Sequence, residues 1–300
     1  VSGPRVVVVV KRTPYSRYVE EEKDPEVRRL IRRGDPTVAR WLPAHQEHVQ
    51  TFEEVQRVLQ KIGARVWVVH GPRVQFDASD AALVVTVGGD GTLLAASHHV
   101  ENTPILGINS SPFSSVGFFC VGHRLVVERM LPRALEGKLD ALQLSRMQVC
   151  VNGRVVSRRV LNEVLFCHET PAAASRYILE DGKRSEPQVS SGFWVGTAAG
   201  STGALRSAGG VVQPLSARTL QLVVREPITS ARRKYKMTRV IVPEGKQITA
   251  ISKMHDARIF LDGPYKMAPV RLADNVSFSL SEEPVKVLGL SERKGRGRAK

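Results

Sequence analysis

Gly88-Gly89-Asp90-Gly91-Thr92 follows the apolar run Ala81 to Val87 and leads into Thr92 to His99, a stretch that suits a helix. A buried strand, a glycine turn and a helix start, in that order, are the parts of a ligand site in an open α/β sheet. Glycines let the backbone turn tightly and approach a phosphate closely. The helix start offers free N–H groups and a partial positive charge, and Thr92 is placed to cap it. Three jobs are open to Asp90. It can take a proton from an attacking hydroxyl, bind Mg²⁺ through oxygen, or hydrogen-bond a ribose. A plain strand–helix turn competes with these readings, but two adjacent glycines, an acid and a third glycine exceed its needs. No Gly-Lys-Ser/Thr closes a phosphate loop, and no G-x-G-x-x-G follows a strand. A Walker-type enzyme and an ordinary dinucleotide dehydrogenase are both disfavoured.

The chain around this turn alternates. Val6 to Val10 is β-branched throughout and reads as a buried parallel strand. Tyr15 to Gln50 is a charged, helical excursion broken by Pro25, Pro36 and Pro43. Val49, Phe52, Val55, Val58, Leu59 and Ile62 mark one helix face, stopped by Gly63. Val66 to Val69 and Ile105 to Ile108 supply further strands. This succession predicts a parallel sheet covered on both faces. Leu125 to Glu136 reads as a helix joining the halves. Beyond residue 138 the runs are short and strand-like: Leu142 to Val151, Arg154 to Phe166, Tyr177 to Glu180, Phe193 to Val195 and Leu220 to Val224. Arg239 to Val242, Gln247 to Ile251, Arg258 to Leu261 and Val276 to Leu280 continue them, and Asn152-Gly153 is a two-residue hairpin signal. The expected architecture is an N-terminal α/β domain with a parallel sheet, residues 1–125 joined by 284–300. An all-β sandwich follows over 126–283. The tail from Ser291 reads as flexible.

With 300 residues, 42% hydrophobic and 24% charged, the composition is globular and no run is long enough to span a membrane as a helix. A net charge of +15 attracts polyanions without choosing among them. Cys120, Cys150 and Cys167 form an odd, sparse set, which argues for a reducing compartment. Cys120 with His123 and Cys167 with His168 fall short of a zinc spacing. Arg232, Arg233, Lys234 and Lys236 around Tyr235 mix basic and aromatic residues, read here as a solvated loop or a feeder for phosphate-bearing ligands rather than a nucleic-acid surface.

The second half adds pieces that are weak singly. Asn162-Glu163 pairs an amide and a carboxylate suited to a base edge and a ribose diol. The loop from Thr197 to Gly203 is small and hydroxyl-rich, and Ser207-Ala208-Gly209-Gly210 extends it. Asp262-Gly263 ends an apolar strand. Taken with Gly88 to Thr92 and Gly107-Ile108-Asn109, the ordered set resembles the NAD kinase family from about Val6 to Leu290. The first motif alone is shared with diacylglycerol-type lipid kinases. Departures exist. Ala198, Ala199, Gly203 and Ala204 stand where most of the family has Pro-Thr before the Gly-Ser-Thr and Ala-Tyr after it, so a tyrosine contact to the dinucleotide is missing. Pro264 replaces a common Gln. Gly107 to Cys120, with Asn109, Pro112, Ser115 and Gly117, is similar to the branch of plant NADH kinases and mitochondrial-type animal enzymes. Ser175-Arg176-Tyr177 and Arg225-Glu226-Pro227 are too.

The resemblance implies transfer of the γ-phosphoryl group of ATP to the 2′-hydroxyl of the adenosine ribose of NAD or NADH. Asp90 would be the proton acceptor. Gly89, Gly91 and Thr92 would face phosphate, with Asn109 on the next strand. Asn162, Glu163, Gly200, Ser201, Thr202 and Ser207 would hold the dinucleotide, with Asp262 a weaker candidate nearby. Mg²⁺ would travel with ATP rather than sit on protein ligands. Matches in both halves imply a site between them. The family implies a homodimer; the sparse cysteines suit a cytoplasmic enzyme, or an organellar one if a targeting segment was removed. Two other classes stay open at this point. One is a lipid kinase using the same glycine turn. The other is a non-catalytic dinucleotide or nucleic-acid binder, to which the altered loop and the basic charge point.

Overall fold

The computed structural model describes residues 3–71, 74–113, 117–229 and 234–292. Ser115, Arg232, Arg233 and the tail from Arg293 lie outside the described residues. In chain order the first elements are β1 (Arg5–Val10), a π-helix (Ser16–Glu21), α1 (Pro25–Arg32), α2 (Trp41–Lys61), β2 (Arg65–His70) and β3 (Leu83–Gly88). They continue with α3 (Asp90–Ser97), β4 (Ile105–Asn109), β5 (Gly122–His123), a 3-10 turn (Arg124–Val126), α4 (Val127–Leu135) and β6 (Ala141–Leu144). Then come β7 (Met147–Val151), β8 (Arg154–Val160), β9 (Glu163–His168), β10 (Ser175–Glu180), β11 (Ser185–Ser190) and β12 (Phe193–Thr197). A 3-10 turn (Ala199–Thr202), α5 (Ala204–Ser207), β13 (Thr219–Val224), β14 (Arg239–Pro243), β15 (Gln247–Ser252) and β16 (Ala257–Leu261) follow, and β17 (Lys266–Val270), β18 (Asn275–Leu280) and β19 (Val285–Leu288) end the list.

Contacts divide the chain into two compact units. One holds the residues up to Leu142 with Val285–Ser291, and the other holds Gln143–Pro284. The first unit therefore contains α4, which the sequence reading placed after the boundary at 125. Its sheet runs β2-β1-β3-β4-β19-β6, with β5 beside β4. The pairs among β2, β1, β3, β4 and β19 are parallel. Val6, Val8, Val85 and Ile108 sit fully buried with Val55, Val58 and Leu59 of α2 and Leu131 of α4. The all-valine β1 is what a strand covered on both faces requires.

The helical excursion is better ordered than its prolines suggest. Pro25 opens α1, and the Asp24 carboxylate accepts from the N–H groups of Glu26 (2.9 Å) and Val27 (3.1 Å). Pro43 lies in the first turn of α2, where a missing N–H costs nothing. That helix starts eight residues before the Val49 expected from periodicity, and Gly63, at φ +76°, ends it as expected.

Buried His48 of α2 ties the carboxyl ends of two strands. Its Nδ1 lies 2.8 Å from Ser110 Oγ after β4, and its ring also hydrogen-bonds the Lys11 backbone after β1. Burial first, then the charges of Lys11, His45 and His70, push its pKa down to about 4. The folded state thus holds the ring neutral where the unfolded chain takes up a proton. This stability is present above the unfolded value near 6.5 and is lost as pH falls through that window toward 4. The expected loss between pH 7 and pH 5 is about 2 kcal/mol. Urea unfolding at the two pH values checks it, with His48→Gln expected to flatten the difference. Equal slopes for both proteins remove His48 as the source.

The second unit is a sandwich of two antiparallel six-stranded sheets, β11-β10-β15-β18-β7-β8 and β14-β13-β12-β9-β16-β17. One core joins their inner faces, with Tyr177, Phe278 and Val149 from the first sheet and Phe166, Phe193 and Ile259 from the second. Phe166 stacks on Phe193 at 4.8 Å, and Tyr177 meets both rings edge-on. Two expected runs are each split. Leu142 to Val151 breaks at Ser145-Arg146, where the fully buried Arg146 donates to the Glu283 and Pro284 carbonyls. Arg154 to Phe166 breaks at Leu161-Asn162, for the reason given below. Strands β11 and β17 escaped the sequence reading because each carries a proline, Pro187 and Pro269.

Candidate active site

In the first unit the glycine turn closes the carboxyl end of β3. Helix α3 starts at Asp90, two residues earlier than expected, with Gly89 at its N-cap. Thr92 does not cap it, because the cap position falls three residues before it and makes no side-chain hydrogen bond. Thr92 is buried instead, against Gly88. A Cβ on Gly88 would stand 2.2 Å from Thr92 Oγ1, so only glycine fits there. Gly91 is exposed, and a Cβ on it would meet nothing within 4 Å, which leaves the first turn of α3 open to an approaching group.

The Asp90 carboxylate is held on both oxygens. Oδ2 accepts from the Phe118 N–H at 2.7 Å and Oδ1 from the Phe119 N–H at 2.8 Å. The backbone takes two of its lone-pair sites and the Cys120 thiol hydrogen-bonds it as well, so of about four acceptor sites the half-buried group keeps one for a hydroxyl donor. The Cys120 thiol lies beside it and is pushed up strongly, by burial first and then by the Asp90 charge. That thiol is no nucleophile; it fills the space left by Gly107, where a Cβ would stand 2.9 Å from Cys120 Sγ. Asn109 is buried at the end of β4, and its Oδ1 accepts from the Ser111 N–H at 3.2 Å.

In the second unit the predicted residues converge on the break after β8. The Asp262 carboxylate accepts from three successive backbone N–H groups: Leu161 (2.8 Å), Asn162 (2.7 Å) and Glu163 (3.2 Å). This clamp interrupts the strand pairing and splits the expected run. Asp262 itself sits at φ +49°, a left-handed conformation that aspartate tolerates. The Asn162 carbonyl accepts from the Thr197 N–H (2.9 Å), and Thr197 Oγ1 donates to the Leu161 carbonyl. Gly200 packs onto the same backbone; a Cβ there would stand 2.5 Å from the Asn162 oxygen.

The side chains of this cluster divide. Ser201 is fully buried and committed within its loop, donating to the Ala198 carbonyl (2.7 Å) and accepting from the Gln213 N–H (2.9 Å). Thr202 is half-buried, and Ser207 is exposed at the end of α5. Asn162 Oδ1 is buried without a hydrogen-bond partner. A buried amide oxygen left unmatched is costly, and a ligand N–H would satisfy it. Glu163 has its pKa pushed up to about 7, by burial first and by the Asp262 charge second.

Glu163 also lines a cavity of about 490 Å³. Its wall is the face of the second sheet opposite the core, where Leu165 pairs across strands with Trp194 and with Phe260. The Arg225 guanidinium lies 5.7 Å from the Trp194 ring, a cation–π contact. Sequence reading missed this cavity. Its one sequence signal was the pair of segments similar to the NADH kinase branch, since Ser175, Arg225 and Glu226 from them line it.

The chain matches the model of the ATP-NAD kinase N-terminal domain over residues 6–138. A probable NADH kinase of Oryza sativa subsp. japonica is 31% identical over 283 residues, covering 86% of this chain and 86% of that protein. An NADH kinase of Arabidopsis thaliana is 32% identical over 276 residues, covering 84% and 86%. Among solved structures, an NAD kinase from Archaeoglobus fulgidus in complex with ATP superposes with a TM-score of 0.67 at 22% identity, over 98% of this chain and 96% of that one. A yeast NADH kinase complexed with NADH gives 0.66 at 15%, over 99% and 87%. At such identities these two structures speak to the fold.

Proposed function

This chain belongs to the NAD kinase family, and on that premise we propose that it phosphorylates NADH or NAD at the 2′-hydroxyl of the adenosine ribose, using ATP. The 2′-oxygen attacks the γ-phosphorus, the bond from that phosphorus to the β–γ bridging oxygen breaks, and ADP leaves. Asp90 receives the hydroxyl proton. The observation that carries this reading is the Asp90 carboxylate, held on both oxygens by backbone N–H groups at the carboxyl end of a parallel strand and still able to accept. Such a group is oriented before substrate arrives, and phosphoryl transfer depends on orientation and charge neutralisation.

The nucleotide roles follow the units. The first unit, with Gly89 and Gly91, receives phosphate. The second holds the dinucleotide through the unmatched Asn162 amide and the Glu163 carboxylate, with Gly200 and Thr202 beside them. Asp262 positions the Asn162–Glu163 backbone from behind. Mg²⁺ needs oxygen ligands. It would come with the nucleotide and would neutralise phosphate charge there. The lipid-kinase reading loses its footing, because the relatives that span most of the chain are NADH kinases. No described helix is long and apolar enough to cross a membrane.

The plant relatives favour NADH as the better acceptor. Purified protein with ATP, Mg²⁺ and either dinucleotide, assayed for NADP(H) by enzymatic cycling, tests the reading. Product is expected from both, faster from NADH. No product with ATP untouched overturns it. In the same assay Glu163→Ala should raise the KM for dinucleotide with little change in the KM for ATP. A carboxylate that accepts ribose hydroxyls must be ionised, so the wild-type KM should fall as pH rises through about 7, and the variant should lose that dependence. An unchanged KM removes Glu163 from the site.

A further inference from the structure

Lys11 begins where β1 ends, and its N–H donates to the Val87 carbonyl at the end of β3 (2.9 Å). The side chain therefore starts beside the glycine turn. A Cβ on Gly88 would stand 3.0 Å from Lys11 Cβ. The other basic groups that follow β1 are answered by carboxylates. Arg12 pairs with Glu21, Arg17 with Glu22 (2.7 Å), and His45 faces Glu20 at 3.4 Å. The Lys11 ammonium makes no hydrogen bond or ion pair among the described residues. His48, held neutral beside it, neither competes for an anion nor supplies one. Lys11 is exposed as a residue, yet the protein around its ammonium excludes enough water to push its pKa below the usual lysine value.

An unanswered cation at the carboxyl end of a parallel strand, next to a glycine turn, has one chemical use in a phosphoryl-transfer site. Nucleotide triphosphates carry several negative charges, and more charge gathers on the β–γ bridging oxygen as its bond to the γ-phosphorus breaks. A lysine ammonium is a compact point charge with three donors and suits phosphate oxygens. We propose that Lys11 is a phosphate-binding residue of the donor, contacting the β- and γ-phosphates of the nucleotide presented at the Gly88–Thr92 turn. This rests on the kinase reading for the identity of the donor. It assigns a role to a residue that carries no motif and drew no attention as sequence.

The test compares wild type, Lys11→Met and Lys11→Arg. Met keeps the length of the stem and removes the charge; Arg keeps the charge and changes its shape. Calorimetry with ADP and Mg²⁺ reads donor binding without turnover. Lys11→Met is expected to weaken ADP at least tenfold and to flatten the salt dependence of its affinity, with Lys11→Arg in between. In the kinase assay Lys11→Met should raise the KM for ATP at least tenfold and leave the KM for NADH within twofold. Thermal unfolding midpoints should agree among the three, since the ammonium holds no structural contact; should Met lower the midpoint, Lys11→Gln replaces it. Unchanged ADP affinity and an unchanged KM for ATP overturn the proposal, as does a wild type that binds no ADP. If wild type binds ADP and Lys11→Met does not, yet neither forms NADP(H), Lys11 keeps its role and the dinucleotide acceptor is what falls.

Discussion

Asp90→Asn should lower kcat by about 10²–10⁴-fold, the usual contribution of a positioned general base. An amide cannot take the proton of the 2′-hydroxyl. The structure adds a second consequence. Both carboxylate oxygens accept backbone N–H groups, from Phe118 and Phe119. In the asparagine variant one of those donors meets an NH₂ group instead of an oxygen. Leaving a backbone donor unmatched costs about 1–3 kcal/mol, so the variant should also unfold at lower denaturant. The two losses separate cleanly. The kinetic loss should appear in kcat under conditions where circular dichroism reports a folded chain, with ADP binding retained within a few-fold. A variant that keeps near wild-type kcat rules out Asp90 as the base.

Asp262→Ala should destabilise the second unit by about 1–3 kcal/mol, the cost of leaving backbone donors without their charged acceptor. Three N–H donors lose their acceptor in consecutive residues, Leu161, Asn162 and Glu163. Alanine also tolerates the left-handed backbone at φ +49° less well than aspartate. Asp262→Asn should cost less, because it keeps one oxygen and suits that conformation. The site should respond as well. Removing the Asp262 charge lowers the Glu163 pKa, leaving burial as its remaining cause. The pH at which the dinucleotide KM falls should then move down in Asp262→Asn. Denaturant unfolding of both variants, with KM followed against pH in the folded one, makes the check. Unfolding indistinguishable from wild type would show that the clamp carries no weight.

Much of this molecule was readable in one dimension. The valines of β1, the apolar face of α2 and the glycine turn each carry a local signal that no long-range contact had to supply. Prolines misled where their meaning depends on position. Pro25 and Pro43 read as breaks and prove to be first-turn residues of helices. Pro187 and Pro269 hid two strands at the ends of their sheets. The Thr92 cap failed by three residues, because the turn before a helix does not mark its first hydrogen bond.

The candidate site residues divide along the same line. Asp90, Asn162, Glu163 and Asp262 were nameable from motif order, since their types and sequence neighbours carry the signal. Their geometry was not. Asp262 reaches back about 100 residues to three backbone donors, and Ser201 turns its hydroxyl inward to Ala198 and Gln213. Lys11 had no motif at all; only the pairing of β1 with β3 brings it to Gly88. By itself the sequence determined most of the elements, the α/β-then-β order and the chemistry on offer, because strand, helix and turn preferences are local. The tertiary structure alone decided which carboxylate is bound from behind, which amide is left unmatched and which lysine is left unanswered. Those properties belong to atoms that meet only after distant segments have packed.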